Sequence, residues 1–125
     1  MENCPFCGIE NYKDNIVCET ELSIAILDEY PVSKGHTLVI PKRHVSSYFD
    51  LTEDEVTNIW SMVNDVKKVL DYMHEPDGYN IGINVGKAAG QTVPHVHIHV
   101  IPRYSGDMED PKGGVRGVIP DKRKY

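Results

Sequence analysis

The sequence predicts an α+β domain in which an antiparallel sheet of about five strands packs with one long helix. Three observations predict it. Apolar residues recur at helical steps in only one stretch, residues 52 to about 74. Short branched-apolar runs bounded by Gly, Pro or Asp stand on both sides of that stretch. Strands therefore do not alternate with several helices, as a doubly wound parallel sheet requires.

In chain order, Cys18 falls in a first short strand as a small apolar residue expected to be buried. Ser23-Ile24-Ala25-Ile26-Leu27 and Thr37-Leu38-Val39-Ile40 are the next two strands. Their link carries Pro31, Ser33 and Gly35, which suits a hairpin or a tight crossover. Thr52 followed by Glu55 is a capping box, with Leu51 and Val56 in the staple positions, so a helix starts there. Val56, Ile59, Trp60, Val63, Val66, Leu70 and Met73 make its apolar stripe, with Trp60 and the methionines expected in the core. Glu53, Asp54, Asn58, Asp65 and Lys68 are left for water. His74 is expected to meet the last helical carbonyls, and Pro76-Asp77-Gly78 ends the helix. Residues 79–85 and 93–101 supply the remaining strands. From about 104, Gly and Pro recur in a loop-like tail, so residues 1–125 read as a single domain.

Charge and cysteine usage narrow the function. Thirteen Lys and Arg against nineteen Asp and Glu give a net charge of −6 and a pI near 5.4, the wrong sign for a protein that coats nucleic acid. No apolar run reaches the roughly 18 residues of a membrane span, and the opening Met1-Glu2-Asn3 has no secretory character. A cytoplasmic protein with neither nucleic-acid nor membrane partners is expected. Arg116, Lys122, Arg123 and Lys124 form a basic cluster in the tail, either solvated or turned towards a phosphate. Three cysteines make no fully paired disulfide set, and Cys4-Pro5-Phe6-Cys7 has metal or redox spacing. A thioredoxin-type role is disfavoured because no strand precedes the pair to present it at a helix start.

His95, His97 and His99 alternate with Val96, Ile98 and Val100. A strand has period two, so the imidazoles share one face and the branched residues the other. Two chemistries compete for such a row: three nitrogen ligands for a catalytic metal, or an imidazole nucleophile attacking an electrophile such as phosphorus. Just upstream, residues 82–92 supply glycines, backbone donors, Asn84, Gln91 and Thr92, a composition able to close on phosphate oxygens.

Gly90-Gln91-Thr92-Val93-Pro94-His95-Val96-His97-Ile98-His99-Val100-Ile101-Pro102-Arg103 resembles the signature of the histidine triad superfamily. Gly35-His36-Thr37-Leu38-Val39-Ile40-Pro41-Lys42-Arg43-His44 resembles that family's other conserved block. The continuation Arg103-Tyr104-Ser105-Gly106-Asp107 is closer to the fragile-histidine-triad and diadenosine-polyphosphate hydrolase branch. The resemblance implies a nucleotide hydrolase or transferase acting at the α-phosphate of a dinucleoside polyphosphate or nucleoside phosphoramidate. By position, His97 is the nucleophile, His99 serves phosphate oxygens and the leaving group, and His36 supports them. Asp28 matches the ribose-holding position, Asn84, Gln91 and Thr92 the phosphate side, and Leu22, Ile26 and Leu27 the walls around a purine base.

The same resemblance implies a structural zinc on Cys4, Cys7, His44 and His95 and a two-fold homodimer; a polyphosphate substrate can itself bring magnesium that is not bound by a protein ligand. Two other readings stay open at this point. One is a metal-dependent hydrolase using the strand histidines as ligands; the other is a slow-turnover nucleotide-binding module that keeps the pocket.

Overall fold

A sheet with two apolar faces needs two covers, and this chain supplies a different one for each. A computed structural model describes residues 4–8, 10 and 12–125; Met1–Asn3, whose character bears on a leader segment, lie outside the described residues. Five strands, β1 (Ile16–Glu19), β2 (Ser23–Leu27), β3 (Thr37–Pro41), β4 (Gly78–Ile83) and β5 (Ile98–Arg103), pair antiparallel in the order β1-β2-β3-β5-β4. One long helix, α1 (Glu53–His74), crosses between β3 and β4. This is the α+β arrangement that the order of apolar runs implies.

On one face, Ile59, Met62, Val63, Val66 and Leu70 of α1 pack on Ala25, Val39, Ile98 and Val100. On the other, Ile24, Ile26, Leu38 and Ile40 carry Phe6 and Tyr12 from the N-terminal segment and Ile16 of β1. Both covers explain why β2 and β3 are apolar at nearly every position instead of alternating. The pairing Leu38↔His99 puts His99 on the second face, away from the helix.

The capping box forms as the sequence implies. Thr52 Oγ1 accepts the Glu55 amide at 3.1 Å, and Glu55 Oε1 accepts the Thr52 amide at 2.9 Å. Glu55 is buried, and Arg43 donates to both its oxygens, from Nε at 3.0 Å and Nη2 at 2.8 Å. That guanidinium, together with the Thr52 donor, holds the Glu55 carboxyl down to about 2.

Several expectations are corrected. The buried stripe uses Met62, whereas Trp60 is 38 % exposed and Met73 63 % exposed; Trp60, next after Ile59, sits at the margin of the buried stripe, and Met73 lies in the last turn of the helix. Asn58 is not left to water: its Oδ1 accepts the hydroxyls of Thr20 and Ser23, tying the helix to the β1–β2 turn. His74 does not cap α1. Its Nδ1 is buried without a hydrogen-bond partner, and the helix ends through Glu75 in the left-handed region, its amide bonding the Asp71 carbonyl. Cys18 is half-buried. β4 stops at Ile83, and β5 begins only at Ile98. The tail is structured in short 3-10 turns, Gly114–Val118 and Pro120–Lys122. Its basic cluster is used internally: Arg123 donates to the Asp110 and Lys112 carbonyls, Arg116 to those of Lys122 and Arg123, and Lys124 pairs with Asp110.

Thr52→Ala is expected to lower the free energy of unfolding by about 1 kcal/mol in urea titrations at pH 7. The depressed Glu55 carboxyl contributes stability that is complete above its unfolded value of about 4.3 and is lost as pH falls from there towards 2. Glu55→Gln should flatten that acid limb; an unchanged limb would remove the pair from the account.

Candidate active site

The histidines reach their places as the chain returns to the sheet, with His95 and His97 before β5 and His99 within it. The His95 amide donates to the Val93 carbonyl, and the Val96 amide to the Val45 carbonyl, each at 2.8 Å. Residues 93–97 are thus held by the loop after β3, and ladder pairing takes over at Ile98. Val96, Ile98 and Val100 are all buried, which leaves the alternate imidazoles to other partners.

Each ring is fixed by a partner of known polarity. A carbonyl oxygen only accepts, so the ring nitrogen facing it carries the proton. His97 Nδ1 lies 2.8 Å from the His95 carbonyl and therefore donates, leaving Nε2 with its lone pair. His36 Nδ1 accepts the Val32 amide at 3.1 Å, so His36 Nε2 is the protonated atom. That Nε2 donates to His99 Nδ1 at 3.0 Å, with Asp28 Oδ2 3.4 Å away. His99 consequently keeps its proton on Nε2. Burial, reinforced by His97 and His36, lowers the His99 imidazole to about 4. Burial also lowers His36, against the pull of Asp28. At neutral pH these two rings are uncharged hydrogen-bonding groups.

His97 and His99 open onto a cleft of about 550 Å³, a size suited to a small-molecule ligand. Asp28, Ile26, Leu27, His36, Asn84 and Thr92 also line it. Gln91 does not: its Oε1 accepts the Gly86 amide, and its Nε2 donates to the Ser46 and Val93 carbonyls, so it braces the loop from behind. Leu22 likewise lies outside the lining. Sequence reasoning missed Phe6 and Tyr12, which form part of the inner wall. Phe6 meets the His97 ring edge-on with centroids 5.1 Å apart, and Tyr12 Oη donates to the Phe6 carbonyl at 3.1 Å. A signal was present: if Cys4 and Cys7 meet His95, the residues between them must pass beside His97.

Cys4, Cys7, His44 and His95 bring one ligand atom each to within 4.8 Å of one another. His95 Nε2 faces the Pro41 carbonyl at 2.7 Å and so carries the proton, turning the Nδ1 lone pair towards both thiols. His44 Nδ1 lies 3.1 Å from Cys7 Sγ. Two sulfurs and two imidazole nitrogens are the donor set of a closed tetrahedral metal site. The second cluster, Asp28, His36 and His99, is as close, but His36 Nε2 is protonated there and acts as a donor. His97 belongs to neither cluster, so among the described residues the three strand imidazoles do not converge on a common ion.

Comparison with known proteins adds the following. The HIT domain family model matches residues 10–106. A HIT-like protein of Methanocaldococcus jannaschii is 44% identical over 124 residues, covering 95% of this chain and 94% of that one. The bis(5'-adenosyl)-triphosphatase of Dictyostelium discoideum is 44% identical over 98 residues, 78% of this chain; the chain spans 66% of that relative's length. The crystal structure of a zinc-bound histidine triad family protein from Mycobacterium smegmatis superposes with a TM-score of 0.76 at 38% identity, covering 87% of this chain and 81% of that one.

Ring-nitrogen NMR at pH 7 is expected to show His97 as the Nδ1–H tautomer and His99 as the Nε2–H tautomer. His99 is lowered on folding, so protons favour the unfolded chain; its contribution to stability is complete above about 6.5 and is lost as pH falls towards 4. A His99 ring titrating near 6.5 would contradict this.

Proposed function

The chain belongs to the HIT domain family, and from that membership and the geometry of its cleft we propose that it cleaves dinucleoside polyphosphates at an α-phosphate through a nucleotidyl-His97 intermediate. The observation that carries this reading is the bond from His97 Nδ1–H to the His95 carbonyl. It leaves Nε2 as the nucleophile and supplies a dipole that steadies the positive charge the ring acquires on bonding to phosphorus.

In the first step the Nε2 lone pair forms the N–P bond, the bridging P–O bond breaks, and its electron pair departs with the remaining polyphosphate. A polyphosphate leaves as a stable anion and needs hydrogen bonds more than a proton. Neutral His99, with Nε2–H, meets that need, and His36 keeps the proton there by donating to His99 Nδ1. This favours a phosphoanhydride over a phosphoramidate, whose amine must be protonated to leave. In the second step the oxygen of water, or of another acceptor, bonds to phosphorus, the P–N bond breaks with its pair returning to Nε2, and the proton of the attacking water is released to solvent. Asp28 accepts from ribose hydroxyls, Asn84 and Thr92 donate to phosphate oxygens, and Ile26, Leu27, Phe6 and Tyr12 enclose a purine. Among the described lining residues there is no Lys or Arg, so magnesium enters this reading as a companion of the substrate that offsets phosphate charge.

Zinc on Cys4, Cys7, His44 and His95 is part of the proposal; when bound, it supplies rigidity rather than chemistry. The donor set supports it, as does the zinc named for the Mycobacterium smegmatis relative. The protein is further read as a cytoplasmic homodimer built around α1 and an edge strand of the sheet.

His97→Asn is expected to reduce hydrolysis of diadenosine tetraphosphate by at least about a thousandfold while nucleotide still binds; full turnover would exclude the assignment. Metal analysis of protein purified without chelator should give one zinc per chain, and Cys7→Ser should lose it and leave the Cys4 thiol open to alkylation. Metal-free protein with both thiols readily alkylated would exclude the zinc.

A further inference from the structure

The cleft has two apolar regions, and the chemistry above uses one. The inner wall, Ile26 and Leu38 with Phe6 and Tyr12, belongs to the packed second face of the sheet and takes the reacting nucleoside. At the mouth stand Tyr30 and Val32, which also line the cleft yet are 81% and 71% exposed. Asp28, His36 and His99 lie in the same lining. What sets these two apart from the chain's other exposed apolar side chains is their place, side by side in the lining of the cleft that holds His97 and His99.

This loop is pinned at every turn. The Tyr30 amide donates to Asp28 Oδ1 at 2.8 Å, and the Val32 amide to His36 Nδ1 at 3.1 Å. The Asp28 amide closes the loop on the His36 carbonyl, and the His36 amide bonds the Ser33 carbonyl. Ser33 Oγ donates to the Pro102 carbonyl at 2.7 Å and the Tyr104 hydroxyl to the Lys34 carbonyl at 2.6 Å, stitching the loop to the end of β5. Gly35, in the left-handed region at φ 91, has His74 2.8 Å from where a Cβ would stand, so the crossing admits no side chain. Pro31 restricts the backbone of Tyr30 to extended conformations. The ring is therefore presented in water by a backbone whose ordering is already complete, which is how a binding platform limits its entropic cost.

We propose that Tyr30, with Val32 beside it, is the stacking platform for the second nucleoside of the dinucleotide, the one that leaves with the polyphosphate. The inference rests on the dinucleotide reading above and adds a specificity residue to it. A base has a π-face whatever its identity, so an aromatic platform discriminates dinucleotides from mononucleotides without choosing between purines. Replacing the Tyr30 side chain leaves its amide bond to Asp28 in place, so the ribose-facing carboxylate keeps its support.

The test is binding rather than turnover, so it does not depend on the nucleophile. Calorimetric titration would compare methylene-bridged diadenosine tetraphosphate with methylene-bridged adenosine tetraphosphate, which has the same phosphates but no second nucleoside. Wild type is expected to bind the dinucleotide about tenfold more tightly. Tyr30→Ala should abolish that difference while holding adenosine tetraphosphate within twofold, and Tyr30→Phe should retain it. Equal weakening of both ligands in Tyr30→Ala, or an unchanged dinucleotide affinity, overturns the platform. A failure of the His97 reading shows separately, as hydrolysis by His97→Asn.

Discussion

The hydrogen bond from His97 Nδ1 to the His95 carbonyl decides what this protein can do. It spans two residues of one strand approach and fixes the tautomer of the ring that faces the cleft. Without it, the proton would be shared between both nitrogens and the nucleophile would be present only part of the time. The carbonyl that accepts it is itself immobilised, because the His95 ring is held at the Pro41 carbonyl on one side and faces two thiols on the other. Three successive imidazoles on one face thus do three jobs, each set by a different acceptor or donor. In the proposed mechanism His95 anchors, His97 attacks, and His99, which accepts from His36, offers its own Nε2–H to the substrate.

This division of labour depends on the two-sided sheet. Had both faces been closed by helices, the imidazoles would be buried among apolar residues with no opening to solvent. Had the second face been left to water, the rings would be hydrated and ordinarily basic. The N-terminal segment gives an intermediate environment: Phe6 shields one edge of His97, and Tyr12 holds Phe6 by its carbonyl. The result is a cleft dry enough to keep His99 neutral and open enough to admit a nucleotide. The thiol and imidazole cluster that anchors His95 also carries Phe6 between its cysteines, so fold support and cleft wall come from one turn.

Much of this was readable from residues alone, for identifiable reasons. The capping box at Thr52 and Glu55 and the alternation from His95 to Val100 are local patterns with fixed periods, and the Cys4 and Cys7 spacing is local as well. Features that arise between distant segments were not readable. The buried side of α1 was misjudged at Trp60 and Met73 because periodicity shows neither where the margin of a stripe falls nor how far along the helix the sheet covers it. Gln91 falls in a phosphate-loop composition, yet its amide is consumed by backbone groups of its own loop and of the loop after β3. The role of Arg43 at Glu55 and the short turns of the tail depend on carbonyls and carboxylates that no spacing rule identifies. Asp28 lies eight residues before His36, but only the folded loop shows it beside the His36–His99 pair.

Two in-line displacements at one phosphorus each invert it, so a covalent histidine intermediate returns the original configuration. The most direct measurement is the stereochemical course of hydrolysis with a substrate whose α-phosphorus is made chiral by oxygen isotopes and sulfur. The account requires net retention. Net inversion would mean that water attacks phosphorus directly, and His97 Nε2 would lose its place at the centre of the chemistry.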